Sequence, residues 1–480
     1  MKRFFGIISI VALIMLSCFG LIGCGEDSNL TGDAGGNLDV NTPGNESYHK
    51  VYDLSEKKYL KPNYTADGNY LFENIEVDRS NEVADDGRSS YLGHPDSVLL
   101  DDQSIFTVYP KGHGRGQTIY RKSYDYGKTY TDRYEGNPIS MPENWKDAQE
   151  TPTIYKLDFI NGAQKLIIIS GRPGWSTNPY KGEGFDVSLS QDNGKNWTPY
   201  VNFYGPKAPE KQYQAPAGQY NCIVAMASLT QLKDANGNFT NSWMGLFHDY
   251  SFSVYKTILT FDANDKMNWS LPEKISTTYS DLAAKNQFCE VEAVRSPVID
   301  RSSTDPTKNG NQICLIFRAN AKISSSYTCF TNDEGKTWSA PKETSITLAG
   351  ERHKAEYDPI SGRLLITYRA DNWKGVIKSK INWYSQGWFA WVGTYDDLVN
   401  SKPGDYLIKL AHTYLDGQSA PQIEADGDTG YAGNVVFKDG LFVLTSYGRF
   451  EPIKENTFVV TKRLRLADIE KFVTPRILTK

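Results

Sequence analysis

A turn that recurs at even spacing, together with a composition rich in strand and turn residues, predicts an all-β fold, a six-bladed β-propeller. The turn has the form Ser/Thr-x-Asp-x-Gly and ends on an aromatic residue; good copies begin at Ser123, Ser190 and Thr331. Thr260-Phe261-Asp262, followed late by Trp269, is a fourth copy stretched by two residues. The aspartates at positions 125, 192, 262 and 333 lie 67, 70 and 71 residues apart, and such a period marks repeated supersecondary units.

The turns themselves are expected to be structural. Aspartate accepts backbone N–H bonds within a tight loop, glycine supplies a positive φ, and the hydroxyl braces the turn. The chain also contains 30 Tyr, 10 Trp and 40 Gly in 480 residues, which favours strands and turns over helices.

From about residue 70 the chain divides into six units with a similar order of predicted elements. Each has a strand, a turn, a second strand and a third strand leading to a turn. A degenerate turn, Thr394-Tyr395-Asp396, keeps the count consistent. We expect a strand from residues 70–77 to close the sixth unit, because propellers join the two chain ends in one sheet. The second strands end at the segments around Tyr109, Ile169, Leu246, Ile316, Thr367 and Thr445.

The first residues have the pattern of a secretory signal: Lys2 and Arg3 precede a short apolar run, and Leu21-Ile22-Gly23-Cys24 follows. Leu21-Ile22-Gly23-Cys24 resembles a bacterial lipobox, which implies that Cys24 is lipidated. Residues 25–65, rich in Gly, Asn, Asp and Ser, are predicted to be a flexible tether, so residues 66–480 form the propeller. We expect a monomeric lipoprotein anchored to the outer membrane, at the cell surface or on the periplasmic face.

Composition excludes several other functions. The net charge of −5, the isoelectric point of about 5.8 and the lack of a basic block argue against a nucleic-acid partner. No spacing of Cys or His suggests a metal site, and no cofactor is expected. Four cysteines follow the signal region, and we expect buried thiols, with a Cys314–Cys329 disulfide as the alternative; the four are Cys222, Cys289, Cys314 and Cys329.

In a propeller the starts of the first strands and the ends of the second strands meet around one mouth of the central channel. Residues distant in sequence therefore line a common pocket. The first-strand starts in this chain carry His94, Glu150, Glu290, Arg352, His353 and Tyr431.

Several arginines in one pocket favour a planar anion, since a guanidinium binds a carboxylate by two parallel hydrogen bonds. Arg318 and Arg352 are the first candidates, and a third is to be chosen among Arg369, Arg449, Arg172 and Arg115. Tyr431 attacks poorly unless a base removes its proton, and Glu290 or Glu292 can be that base.

The turn pattern, Glu290, Arg318 one hairpin later and Gly430-Tyr431 in the last unit resemble the sialidases with BNR (Asp-box) repeats. The resemblance covers about residues 88–470 and implies a retaining exo-glycosidase in which three arginines hold the substrate carboxylate. It further implies that Tyr431 is the nucleophile and Glu290 its partner, with Glu292 as a rival.

The sequence departs from that family in two places. Gly93-His94-Pro95 stands where sialidases carry Arg-Ile-Pro, and the loop of residues 111–116 has no carboxylate where the family has its acid/base aspartate. Arg115 or Arg88 can restore the missing arginine. For the proton donor we favour Glu150 or His113 over His94 and Asp249.

These observations predict hydrolysis of a terminal sialic acid or a related carboxylated sugar from a glycoconjugate. The departures leave two alternatives open. One is a surface glycan-binding lipoprotein without catalysis, and the other is a polysaccharide lyase acting on uronates with Tyr431 or His353 as base.

Overall fold

The computed structural model describes residues 75–79, 91–114, 116–137, 139, 141–275, 279–370, 387–411, 428–450, 457–471 and 475–478. The predicted signal, Cys24 and the tether lie outside these ranges, as do Arg88 and Arg115. Among the helices of the described ranges, none is long and apolar enough to span a membrane.

The described chain forms six antiparallel sheets, the blades of a six-bladed β-propeller, as the sequence predicts. Blade 1 contains β2 (Asp96–Leu99), β3 (Ile105–Pro110) and β4 (Thr118–Ser123). Blade 2 contains β5 (Thr153–Asp158), β6 (Gln164–Gly171), β7 (Phe185–Ser190) and β8 (Val201–Phe203). Blade 3 contains β9 (Ile223–Lys233), β10 (Phe239–His248), β11 (Val254–Phe261), β12 (Met267–Trp269) and β13 (Glu273–Lys274).

The second half of the ring repeats this arrangement. Blade 4 contains β14 (Phe288–Arg295), β15 (Ile313–Ala319), β16 (Tyr327–Thr331) and β17 (Lys342–Glu343). Blade 5 contains β18 (Glu351–Tyr357), β19 (Leu364–Ala370), β20 (Gly387–Gly393) and β21 (Tyr406–Ala411). Blade 6 contains β22 (Gly433–Val436), β23 (Phe442–Gly448), β24 (Phe458–Leu464) and β1 (Ile75–Asp78).

Helical segments are short and connect strands. The α-helical ones are Ser280–Asn286, Tyr395–Val399 and Leu466–Ile469, and the 3-10 ones are Arg133–Gly136, Glu143–Asp147, Lys211–Tyr213 and Ile346–Leu348. The innermost strands, β2, β5, β9, β14, β18 and β22, contact one another in sequence around the ring, and β22 returns to β2. The apolar core lies mainly between neighbouring blades, because each sheet buries both faces.

The ring closes where the sequence predicts. β1 pairs antiparallel with β24, so the start of the described chain completes the last blade. Asp78 at the end of β1 is 2% exposed and accepts hydrogen bonds from Tyr109 (2.7 Å), Arg121 (2.9 Å) and Arg133 (2.6 Å), which all belong to the blade 1 segment. This buried carboxylate therefore ties blade 6 to blade 1.

Three of the recurring turns share one hydrogen-bond pattern. In the turn after β7, the Ser190 hydroxyl accepts the N–H of Gly194 at 2.9 Å, and Asp192 accepts the N–H groups of Lys195 and Asn196. The turns at Asp125 and Asp333 repeat these contacts. In each case the glycine packs against the preceding blade in the ring.

The two irregular copies are built differently, and the prediction for them was wrong. Asp262 accepts the N–H groups of Asn264 and Lys266 within a plain hairpin loop between β11 and β12. Thr394 caps the helix Tyr395–Val399 through a reciprocal contact with Asp397. The four predicted thiols are free and buried, and the alternative disulfide between Cys314 and Cys329 does not form.

Candidate active site

Several innermost strands carry a backbone irregularity at or near their starts, where they meet the mouth of the channel. His94, Glu290 and Arg352 have φ values of 52°, 48° and 50°, which are unusual for residues other than glycine. In β14 the pairing register shifts between Cys289 and Glu292, and in β18 between Glu351 and Lys354. Such bulges re-aim a side chain, and residues held in this conformation concentrate at functional sites.

The bulge in β14 separates the two glutamates that the sequence could not distinguish. Tyr431 donates its phenolic hydrogen to Oε1 of Glu290. Arg318 donates from Nη1 to both groups, at 2.8 Å to Glu290 and 3.0 Å to Tyr431. Glu292 instead accepts the backbone N–H of Ala355. Glu290, and not Glu292, is therefore the carboxylate that is hydrogen-bonded to Tyr431.

This triad is buried and incompletely satisfied. Tyr431 and Glu290 are each 2% exposed and Arg318 is 4% exposed. Within the described ranges, Oε2 of Glu290 and Nε of Arg318 have no hydrogen-bond partner. Oε2 of Glu290 can therefore still accept a hydrogen bond, and Nε of Arg318 can still donate one.

Glu351 joins two arginines that lie against Tyr431, Arg318 and Arg369. It pairs with Nη2 of Arg318 at 2.8 Å and with Nε of Arg369 at 2.9 Å. The guanidinium of Arg369 lies 5.1 Å from the centre of the Tyr431 ring and contacts Asp428 at 3.4 Å. Two arginines therefore flank the phenol of Tyr431.

His94 occupies the other side of Tyr431. The two rings meet edge to face, with centroids 4.5 Å apart. Nδ1 of His94 accepts the N–H of Gly114 at 3.1 Å, and Nε2 lies 3.3 Å from the hydroxyl of Tyr447. Burial, and then the neighbouring His113, hold the pKa of His94 well below its usual range, so the ring is neutral.

Asp428 anchors the aromatic residues around His94. It accepts hydrogen bonds from Tyr447 at 2.8 Å and from Tyr91 at 2.5 Å. The ring of His113 lies 4.8 Å from Tyr91 and 5.1 Å from His94, on the exposed side of the group. His113 therefore borders the site and Asp428 supports it from behind.

Glu150 lies at the same mouth. It is 5% exposed, and Oε1 accepts both the backbone N–H and the hydroxyl of Thr151 while Oε2 accepts the indole N–H of Trp175 at 3.0 Å. A Cβ built on Gly114 would lie 3.3 Å from Glu150 and 3.9 Å from His94, so this loop touches both. Burial raises the pKa of Glu150 to about 7, and the charge of Glu290 adds to the shift.

Arg352 lies among the charged residues of the innermost strands. Its Nη1 donates to the carbonyl of Ala227 at 3.0 Å. Within the described ranges it forms no ion pair at 4.0 Å or less, unlike Arg318 and Arg369. Nearby, Lys354 pairs with Asp96 at 3.3 Å, and burial raises the pKa of Glu292 to about 7.

Three candidates take other positions. His353 is buried against Ser326, Leu348 and the ring of Tyr368, because the residue after the bulge turns into the blade. Asp249 is occupied by its own turn, accepting from Ser251, Ser253 and Tyr255. Arg172 pairs with Asp186 at 2.7 Å and with Glu183, as a rim arginine does.

Four residues of the site were missed by sequence reasoning: Glu351, Asp428, Trp175 and Tyr447. Each stands within a few residues of a segment that the repeat pattern does single out, at a first-strand start or a second-strand end. What the pattern lacks is any sign that these side chains bond to the candidates. Among the described residues, no group of three or more His, Cys, Asp or Glu is arranged to hold a metal ion.

Comparisons with known proteins establish the fold. No protein-family model matches the chain, and no curated protein matches it in sequence. Among solved structures, a Dyadobacter fermentans protein of unknown function is 15% identical, with a TM-score of 0.52 over 82% of this chain and 98% of its own. An α-L-arabinofuranosidase of Fusarium graminearum, in complex with an iminosugar inhibitor, is 11% identical, with a TM-score of 0.53 over 83% and 99%.

A solved trans-sialidase structure also matches this chain, with a lower TM-score than the two structures above. An intramolecular trans-sialidase from Ruminococcus gnavus, in complex with oseltamivir carboxylate, is 10% identical, with a TM-score of 0.46 over 79% of this chain and 95% of its own. The six sheets and the two matches with TM-scores above 0.5 define the class of protein as a six-bladed β-propeller.

Proposed function

We propose that the protein is a retaining glycoside hydrolase whose nucleophile is Tyr431. The observation that carries the proposal is the buried contact of this phenol with Glu290 and Arg318. A tyrosine that attacks carbon needs a base within hydrogen-bond reach, and Glu290 is in that position. The fold is one on which the Fusarium α-L-arabinofuranosidase is also built, which supports a glycosidase in general.

The proposed reaction has two steps. In the first, Oη of Tyr431 attacks the anomeric carbon as its proton passes to Glu290, while Glu150 protonates the departing glycosidic oxygen. In the second, Glu150 takes a proton from a water molecule that attacks the same carbon, and Oη leaves and recovers its proton from Glu290. Two displacements at one carbon give net retention of configuration.

Glu150 fills the acid/base role that the loop of residues 111–116 leaves open. That loop has no carboxylate, but its Gly114 lies directly against Glu150. A carboxyl group with a pKa of about 7 is protonated in part of the enzyme near neutral pH and can also act as a base in the second step. His113 is the second candidate, since it borders the same group of rings.

For the sugar, we propose a terminal residue that carries a carboxylate, of the sialic acid type. Arg318 and Arg369 lie beside Tyr431, and Arg352 is a further buried arginine whose charge is felt by Glu290. Arg352 is the best suited, because its charge is not paired with a carboxylate of the described residues. His94, in the place of the sialidases' first arginine, is neutral and gives a hydrogen-bonding group instead of a charge.

A neutral sugar is the second candidate, and the ion pairs of Glu351 favour it. Glu351 already neutralises much of the charge that Arg318 and Arg369 would offer to a substrate carboxylate. A substrate without a carboxylate would leave these pairs intact.

The test is hydrolysis of a panel of 4-methylumbelliferyl glycosides that includes the α-sialoside, the α-L-arabinofuranoside and a β-glucuronide. We expect turnover of at least one, with that of the α-sialoside or the glucuronide supporting the carboxylated sugar. Turnover of the arabinofuranoside alone would support the neutral one. Binding without product across the panel, with the fold intact, would replace the hydrolase by a glycan-binding protein, and an unsaturated product from a uronate polymer would replace it by a lyase.

We further propose that a lipid on Cys24 anchors the monomeric propeller to the outer membrane. The support is the lipobox-like sequence at residues 21–24. Metabolic labelling with a palmitate analogue should mark the wild-type protein and leave Cys24→Ala unmarked.

A further inference from the structure

A cluster of three aromatic side chains stands beside Glu150 on the rim of the mouth. Trp175 and Tyr180 come from the connection between β6 and β7, and Tyr250 comes from the turn after β10 in the next blade. The rings of Tyr180 and Tyr250 stack at 4.4 Å with an interplanar angle of 15°. Trp175 meets both edge to face, at 6.0 Å from Tyr180 and 5.3 Å from Tyr250.

Apolar packing and a hydrogen bond hold the cluster in place, and part of it is exposed to solvent. Trp175 and Tyr250 pack on an apolar base formed by Ile223, Val224 and Ala227. The hydroxyl of Tyr250 donates to the carbonyl of Pro173 at 3.2 Å, which fastens one blade's connection to the other's turn. Tyr180 remains 42% exposed, although an aromatic ring in such a position would gain by burial.

One hydrogen bond joins the cluster to Glu150, the proposed acid/base residue. The indole N–H of Trp175 donates to Oε2 of Glu150 at 3.0 Å. In a hydrolase the acid protonates the oxygen of the leaving group, so whatever follows that oxygen lies next to the acid. The leaving sugar would thus pass over these rings. A sugar ring has an apolar face of C–H groups, which complements the negative face of an aromatic ring.

We propose that Trp175, Tyr180 and Tyr250 form a subsite for the first sugar ring of the leaving group. The assignment of a leaving-group side rests on the proposed function, whereas the binding of a sugar ring does not. Trp175 is in addition a positioning residue, because its hydrogen bond holds the carboxyl group of Glu150 in place.

The first experiment measures binding and needs no turnover. Saturation-transfer NMR is recorded with lactose, cellobiose and arabinobiose on wild type, Tyr180→Ala and Tyr126→Ala. Tyr126 is the control of matched exposure: it is 43% exposed and packs on the aromatic ring of Phe437, but it lies in the turn after β4. We expect a signal with at least one disaccharide, a loss of about 10-fold in affinity for Tyr180→Ala and wild-type affinity for Tyr126→Ala.

Absence of any signal with wild type, or equal affinity of wild type and Tyr180→Ala, would overturn the subsite. The second experiment uses the sugar identified by the glycoside panel and compares its glycosyl fluoride with a disaccharide that it terminates. Tyr180→Ala should raise KM for the disaccharide about 10-fold and leave the fluoride unchanged, because fluoride makes no ring contact. If wild type turns over neither substrate the hydrolase proposal fails, and the NMR result still decides the subsite.

Discussion

Tyr431 donates a hydrogen bond to Glu290, a residue 141 positions earlier in the chain and two blades away in the ring. The contact depends on the bulge that gives Glu290 its φ of 48°. Arg318 bonds to both partners, so a phenol, a carboxylate and a guanidinium share one buried corner. The proposed chemistry depends on this corner.

The first prediction concerns the nucleophile and its base. Tyr431→Phe should abolish formation of a covalent adduct with a fluorinated sialosyl donor, and with the corresponding donor of whichever sugar the panel selects, because the attacking oxygen is gone. Glu290→Gln should lower kcat/KM by about 10³-fold, since the phenol keeps its proton. Intact-protein mass spectrometry and steady-state kinetics measure the two effects. An adduct on Tyr431→Phe would assign the nucleophile to another residue.

The second prediction is a pH dependence set by Glu150. The group must be protonated to act as acid, and its pKa is raised to about 7, so kcat/KM should fall as the pH rises above 7. Glu150→Gln should remove this limb and lower kcat/KM about 10³-fold for a poor leaving group, but much less for an activated aryl one. An unaltered alkaline limb in Glu150→Gln would transfer the role, with His113→Gln as the next variant to measure.

The third prediction tests the sugar. If the substrate carries a carboxylate that Arg352 holds, Arg352→Met should raise KM at least 10-fold, in line with the loss of a charge-assisted hydrogen bond. Arg172→Met is the control, since Arg172 is already paired with Asp186 and Glu183. Equal KM values for Arg352→Met and wild type would favour the neutral sugar.

The fourth prediction concerns closure of the ring. Asp78→Ala should lower the free energy of unfolding by about 3 kcal/mol, because it leaves Arg121, Arg133 and the hydroxyl of Tyr109 without their shared acceptor. Asp101→Ala, which removes an exposed pair with Lys156, should cost less than about 1 kcal/mol. Urea denaturation measures both, and similar losses would show that Asp78 does not secure the closure.

The fifth prediction separates the two functions of a turn glycine. Gly194 has a φ of 76°, and a Cβ there would lie 2.4 Å from the ring of Phe106 in the preceding blade. Gly162 has a similar φ of 82° with open space around it. Gly162→Ala should cost about 1 kcal/mol from backbone strain, and Gly194→Ala about 2 kcal/mol more from overpacking. Equal thermal shifts would mean that the turn does not secure the contact between blades.

The repeat pattern predicted the blade count, the second-strand ends, the closing strand and three of the turns. It succeeded because strand alternation, Asp/Gly turn chemistry and spacing are local properties. It failed at Asp262 and Thr394, where a hairpin loop and a helix cap use the same residue types for other hydrogen bonds. Nothing local in those two segments distinguishes the outcomes.

The sequence by itself determined which residues belong to strand ends at one face of the propeller, since the period of the repeat assigns each to its blade. These residues are Tyr431, Glu290, Arg318, Arg369, Arg352, His94 and Glu150. Only the tertiary structure decided which of them touch. The backbone bulges direct Glu290 rather than Glu292 toward Tyr431, and they turn His353 into the blade. The packing of neighbouring blades brings Glu351, Asp428 and Trp175 to the site. Bulges and contacts between blades depend on residues far apart in the chain, so a pattern read along one strand does not contain them.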